Sequence, residues 1–452
     1  MNKIRETIDF YHSLLDPEIA RETHEQMADQ LRRRGLFFGE RPLSTVLRPR
    51  FLAPEQYRTL QTAIRALMPA LHKAHEAALQ DADFRYQFRL SEWEEELVHI
   101  DPGFPAPSPT ARMDTFFDEA NALWCTEYNA ETPAAVAYND ALSEVYFALP
   151  VMREFAKVYE VRPLPGRHMM LHALVDCYRQ WGGRDRPRIA ILDWREVPTY
   201  SEFVLFRDYF EAQGFDCVIS DPRDMTYQNG KLYAQGGRPV HLIYKRVLLS
   251  ELIERGGGLE HPVIRAVREH AVCMVNPFRC KILHKKASLA VLSDEINARL
   301  FTAEEGAAID RYIPWTRVVA ERKTVYDGQM VDLLPFLVKH KDEFVLKPND
   351  EYGGKGIVLG WEVDAIKWEA GLKAALTDPS IVQKRVPLPK FPYASWVEDH
   401  VEIYDRMLDT NPYIWYGGFM DGCLTRLSTA SLLNVTAGGG STVPTFVVDK
   451  RI

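Results

Sequence analysis

The sequence predicts a mixed α/β (α+β) protein of several packed units. Three observations carry this: a helical first hundred residues, a strand–helix–strand segment near the middle, and a C-terminal stretch where strands and helices alternate around glycine clusters. At 452 residues the chain exceeds the size at which one hydrophobic core keeps growing, so two or three units are expected. Apolar residues make up 46% and charged residues 26%, the balance of a globular chain rather than a disordered or fibrous one. The formal net charge of −8, with no long Lys/Arg block, argues against nucleic acid or an anionic membrane as the main partner. No apolar run approaches the roughly 20 residues that cross a bilayer. The first residues, MNKIRETIDFYHSLLD, lack the apolar core of a signal peptide. Cys125, Cys177, Cys217, Cys273, Cys280 and Cys423 form no CxxC pair, so reduced thiols in a cytoplasmic protein are expected rather than disulfides or a zinc knuckle.

Residues 1–105 read as a helical N-terminal flank, in which Leu60, Ile64, Leu67 and Leu71 recur at three- and four-residue steps. The Pro-rich run DPGFPAPSPTA then breaks regular structure, and residues 106–180 open with RMDTFFDEANALWCTEYNAETP, a β-hairpin pattern. Residues 181–275 read as a small parallel α/β unit: strand RIAILDW, helix FVLFRDYFEAQG ending at Gly214, strand FDCVIS and strand VHLIYKR. Polar residues at the end of the last strand stand where open α/β sheets present ligand-facing positions. Glu202 and Arg246 are candidate substrate contacts there, with an ordinary surface or ion-pair role as the alternative. From 276 to 452 the strands and helices surround YGGKG and AGGGS.

In the hairpin, suppose residues 111–118 turn through Glu119 to Ala122 with Asp118 opposite Leu123. Asp114 then faces Glu127, and Arg112 faces Asn129. Alternation puts these four on one face and Met113, Phe117, Trp124 and Tyr128 on the other. Opposed Cβ atoms lie roughly 4.5–5.5 Å apart, so the two carboxylates repel unless a cation sits between them. Two carboxylates and an amide suit magnesium, which completes its shell with water and phosphate oxygens. Arg112 beside them is suited to a phosphoryl group or a carboxylate. A solvated hairpin in which Arg112 simply neutralises Asp114 fits the same pattern.

The run DEFVLKPNDEYGGKGIVLG places Lys347 at the end of a strand. Gly353, Gly354 and Gly356 follow, where backbone NH groups can approach phosphates and Lys355 adds charge. It is not a GxxxxGK[ST] loop, and a glycine-rich hairpin turn has a similar appearance. SIVQKRV reads as a strand able to meet an adenine edge through its backbone, or as an amphipathic edge strand. Lys286 opens the apolar helix KASLAVLSDEINARLF, where it reaches a nucleotide or stays in solvent. Arg426, mid-strand, reads as a phosphoryl clamp or a surface ion pair. The loop at Gly438, Gly439 and Gly440, after Asn434, is a candidate lid.

Together and in this order, the RMD and EYN segments, the two lysines and the glycine loop resemble the circularly permuted ATP-grasp family, which includes glutathionylspermidine synthetase-like ligases. The resemblance spans about residues 111–446. In ordinary ATP-grasp proteins the lysines come first; here RMD and EYN precede both. The resemblance implies a circularly permuted ATP-grasp fold. Its permuted part is 106–180 with the metal-binding hairpin, its pre-ATP-grasp α/β domain is 181–275, and its nucleotide-binding subdomains are 276–452. It further implies Mg2+ at Asp114, Glu127 and Asn129, with phosphoryl contacts from Arg112 and Arg426. ATP would meet Lys347 and Lys286, with Lys285 as the alternative to the latter, under a loop at Gly353, Gly354, Lys355 and Gly356, with adenine near Gln383 and Lys384. The implied activity is ATP- and Mg2+-dependent ligation of a small-molecule or peptide carboxylate to an amine through an acyl phosphate. An ATP-dependent phosphotransferase and a non-catalytic nucleotide-binding scaffold are the alternatives. No amidase-like motif is present in the first hundred residues, and no GxSxG elbow appears in the chain.

Overall fold

The computed structural model describes residues 3–351, 353–429 and 440–451. Asn434, Gly438 and Gly439, on which the lid expectation rests, lie outside the described residues.

The parallel α/β unit has the expected elements. Its strands run in the spatial order Cys273–Val275, Leu242–Lys245, Ile189–Leu192, Cys217–Ser220, all parallel. Such a sheet is covered on both faces, so its strands are apolar throughout. Ile189 and Ile191 pack with Phe203, Phe206 and Leu174 on one side, while Ala190 and Leu192 pack with Leu252 and Val263 on the other. Glu202 and Arg246 are buried against each other, Oε2 and Nη2 3.4 Å apart, so the surface alternative for them does not hold.

A second, four-stranded antiparallel sheet has the order Thr316–Val318, Ser380–Lys384, Phe344–Pro348, Val358–Leu359. SIVQKRV is therefore an interior strand, and the edge-strand alternative is overturned. Its polar residue Gln383 is buried because Lys347 and Thr316 satisfy its amide.

The largest sheet joins distant parts of the chain. The strand Thr110–Phe117 pairs with Leu123–Asn129 on one side and with Asn411–Trp415 on the other, where Tyr413 is the partner of Arg112. Phe419–Ser428, His400–Leu408 and Lys390–Val397 continue the sheet. Ser441–Lys450 adds to Phe419–Ser428 and also pairs with Arg50–Leu52 and Tyr159–Pro163. Segments some three hundred positions apart thus form one ladder, the physical expression of a permuted order. The long helix Pro54–Gln80 buries Leu60, Ile64, Leu67 and Leu71 against the apolar face of the acidic hairpin.

That hairpin departs from its expected register at one point. Arg112 faces Asn129 and Asp114 faces Glu127 as expected, but a bulge at Thr126 makes Thr115 face Cys125 and Phe117 face Leu123. The turn closes one residue earlier: the Asp118 NH donates to Ala122 O, the Ala122 NH donates to Asp118 Oδ1, and Asn121 supplies the left-handed φ of 65°. Because the extra residue reverses alternation beyond it, Leu123 and Cys125 join Met113, Phe117 and Tyr128 in the core. Trp124 pairs instead with half-buried Phe116 and stays outside that core. The apolar helix after Lys286 is also shorter than expected. It spans Ala287–Ser293, after which Asp294 caps a 3₁₀ turn through its bond from the Ile296 NH.

Candidate active site

The acidic hairpin and the second sheet face each other across a cavity with about 1070 Å³ of empty space, open to solvent. One end is apolar, walled by Val345, Ile357, Leu359, Trp361, Val386 and Leu388. The other is ionic, walled by Arg112, Asp114, Glu127, Asn129, Lys347, Asp409 and Arg426.

At the ionic end, Arg112 donates to both oxygens of Asp114, Nε to Oδ1 at 2.6 Å and Nη2 to Oδ2 at 3.1 Å. Arg426 Nη2 donates to Asp114 Oδ2 at 2.7 Å, and Arg426 Nε donates to Asp409 Oδ2 at 2.7 Å. Burial disfavours the charge on Asp114, but the two guanidinium groups outweigh it and hold the carboxyl at about 2. The Glu127 carboxyl is likewise held below its ordinary value: burial opposes its charge, and Lys286, with Nζ 3.1 Å from Oε1, more than compensates. Lys347 is buried in the wall and donates to Gln383 Oε1 at 2.7 Å and to Thr126 O at 3.2 Å. Burial lowers its ammonium to about 8; the attraction of Glu127 and Asp114 offsets only part of the desolvation, and the Lys286 charge adds to the fall.

Of the expected site residues, Arg112, Asp114, Glu127, Asn129, Lys347, Gly353, Gly354, Gln383, Lys384 and Arg426 line this one cavity. Lys286 reaches it through Glu127, while its Nζ also donates to Glu351 O at 2.5 Å at the base of the glycine loop. Lys285 points elsewhere, to Glu94 and Asp350. Lys355 is not in the wall; it is exposed and pairs with Glu351. Gly356 also stands outside, with φ 73°, and a Cβ added there would stand 2.7 Å from the Pro348 ring. The backbone of Lys384 is spent in the sheet, its NH donating to Trp315 O and the next NH, of Arg385, to Glu343 O. The wall beyond that ladder is Val386, the last residue of SIVQKRV, and Leu388, which no sequence motif marks. Asp409 was also passed over: it lies in a turn between strands, and its partners are distant in the chain.

The donor set fits magnesium by composition. Among the described residues no three His, Cys, Asp or Glu side chains gather as a metal cluster. Asp114 and Glu127 therefore need the Asn129 amide as their third donor. A cation would meet that amide through Oδ1; its Nδ2 is buried without a hydrogen-bond partner among the described residues, so no protein acceptor holds the amide from that side. A cation here has to displace Arg112 and Arg426 from Asp114, and Lys286 from Glu127.

The profile of circularly permuted ATP-grasp type 2 proteins matches residues 87–428. The chain belongs to that family. A protein of Frankia casuarinae that bears the name of a glutamate–cysteine ligase (2-2) is 23% identical over 426 residues, 89% of this chain and 46% of that protein. The ATP-grasp chain thus spans less than half of that relative's length. Among solved structures, the apo form of a glutathione synthetase-like effector from Globodera pallida has a TM-score of 0.61 at 12% identity, covering 96% of this chain and 98% of that one. The two share the fold. A protein of Methylobacillus flagellatus described as a gamma-glutamylcysteine synthetase covers 84% of this chain and 88% of that one, at 11% identity and a TM-score of 0.43.

Proposed function

We propose that this ATP-grasp chain is an ATP- and Mg2+-dependent ligase that joins a carboxylate to an amine through an acyl phosphate. The observation that carries the reading is the polarity of this cavity: an apolar end suited to a purine, and a buried ionic end with four cations and three carboxylates in or beside its wall. The base lies against Val345, Leu359 and Val386, and the phosphates reach Lys347 and the NH groups of Gly353 and Gly354. Arg112 and Arg426 hold the transferring phosphoryl group and the substrate carboxylate, whose oxygen attacks the γ-phosphorus and releases ADP. The amine then attacks the acyl carbon, inorganic phosphate leaves, and an amide remains. Such chemistry rests on positioning and charge compensation rather than a protein nucleophile. Asp114, Glu127 and Asn129 would hold Mg2+, which supplies neutralisation of phosphate charge when bound. The described residues include no helix long and apolar enough to cross a membrane. The six free, buried cysteines support a reducing, cytoplasmic setting.

The deciding measurement is ADP release with Mg-ATP, alone and with pools of amino acids, short peptides and polyamines. The ligase name on the Frankia relative puts the amino-acid pool first. Release should depend on one pool and fall by about a hundredfold or more in Lys347→Ala. In Glu127→Gln the half-saturating Mg2+ concentration should rise about tenfold. Absence of ATP binding would remove the reading.

A further inference from the structure

Asp409 lies between the strands His400–Leu408 and Asn411–Trp415, is 3% exposed, and stands in the cavity wall. It grips Arg426 at three points. Oδ1 accepts the Arg426 backbone NH at 2.9 Å, Oδ2 accepts Nε at 2.7 Å, and Oδ2 stands 2.6 Å from Nη2. The same Nη2 donates to Asp114, which also takes both bonds from Arg112. Charges therefore alternate along the wall as Asp409, Arg426, Asp114, Arg112. The Arg426 side chain is the most exposed of the four, at 22%.

Asp114 has two competing uses, as the acceptor for both arginines and as a metal donor. When a cation takes its oxygens, each arginine loses a partner. Arg112 keeps a bond from Nη1 to Ala134 O at 3.3 Å. Arg426 keeps Asp409, which fixes its backbone and two of its guanidinium nitrogens within the cavity wall. We propose that Asp409 is a positioning residue that keeps the Arg426 guanidinium in place while Asp114 turns to the metal, so that a donor for phosphoryl or carboxylate oxygen is preorganised. This rests on the cavity being the phosphoryl-transfer site. A guanidinium held in advance costs no reorganisation when charge develops, which is where catalytic benefit lies.

The test compares Asp409→Asn, Asp409→Glu, Arg426→Ala and the double variant D409N/R426A. The first keeps shape but removes the charge. At saturating Mg2+, Asp409→Asn should lower kcat about 10- to 100-fold while KM for ATP stays within about threefold. Asp409→Glu should recover part of the loss, and the double variant should be no slower than Arg426→Ala within about threefold, since both act through one group. An unchanged kcat in Asp409→Asn, or losses that multiply in the double variant, would overturn the proposal. The wild-type protein supplies a readout independent of turnover and of how the variants fold: the ¹⁵Nε–¹H resonance of Arg426. It should stay in slow exchange with water on addition of Mg2+ and a non-hydrolysable ATP analogue; entry into fast exchange overturns the proposal. A wild type that binds ATP but turns over no pool counts against the ligase reading, and leaves this resonance to decide the role of Asp409.

Discussion

A buried lysine that meets only neutral oxygens is a cost to the fold, and Lys347 is such a residue. Desolvation lowers its ammonium to about 8 from the ordinary 10.5, a difference on the order of 3 kcal/mol against the charged form. Below about pH 8 the folded protein carries this burden in full. Between about 8 and 10.5 the unfolded chain holds the proton that the folded chain has lost, so stability rises with pH across that window. Lys347→Met should therefore be more stable than wild type at pH 7, with an advantage that shrinks above pH 8 and is gone near pH 10.5. Urea unfolding of both proteins across that range measures it; a pH-independent gap would show that Lys347 is not the group responsible. If Lys347 contacts phosphate as proposed, nucleotide affinity should move the other way, falling above pH 8 as its charge is lost. At this scale the sequence displayed the hairpin and strand residues, because their chemistry sits at short, regular spacing: Arg112, Asp114, Glu127, Asn129 and Lys347. Asp409 was hidden because its meaning comes from Arg426, which reaches it only through the pairing of separate strands.

Alternation within an element is legible only as far as the element is regular. The outer half of the acidic hairpin obeyed the expected register, whereas the bulge at Thr126 reversed the faces of Trp124 and Cys125, and nothing in the residue pattern there announces an inserted position. The helix after Lys286 failed for a different reason: Asp294 can cap a new turn as well as sit within an old one, and the structure uses it as a cap. The strand Val358–Leu359 shows what an element's end can require. It runs into Gly360, where an added Cβ would stand 1.9 Å from Lys341 O and 2.9 Å from Phe344 O, both of them backbone atoms. Gly360→Ala should thus force this edge strand away from Phe344–Pro348, at a cost of roughly 1–3 kcal/mol or more. Since Leu359 and Trp361 wall the apolar end of the cavity, KM for ATP should rise along with the fall in melting temperature. Normal ATP binding in a destabilised Gly360→Ala would separate this strand from the nucleotide site.

Four parts of the chain meet at one buried ionic cluster. Glu131, just past the acidic hairpin, has a side chain that is 0% exposed; its oxygens lie 3.3 Å from Lys245 Nζ of the parallel sheet and 3.2 Å from Lys281 Nζ, and accept the Leu249 NH at 2.7 Å. Lys281 also stands 2.6 Å from Asp350, at the root of the glycine loop, and 3.4 Å from Glu94 of the N-terminal helices. None of this was visible in the sequence, where the partners lie up to about 250 positions apart and each looks like an ordinary surface charge. Burial works against the charge of Glu131, but Lys281 and Lys245 prevail and hold its carboxyl at about 2, below the ordinary 4.5. Its contribution is therefore fully present above about pH 4.5 and is lost as pH falls from there toward 2. Removing one member of such a buried set leaves uncompensated charge, at about 3–5 kcal/mol. Glu131→Gln should lose about that much at pH 7, and the gap from wild type should close as pH drops from 4.5 toward 2. If the cluster couples the parts, the weakening should appear in one cooperative unfolding transition followed both by tryptophan fluorescence and by far-UV circular dichroism. Two separated transitions in wild type, or a Glu131→Gln protein as stable as wild type at pH 7, would mean that the cluster does not couple the parallel unit to the rest of the molecule.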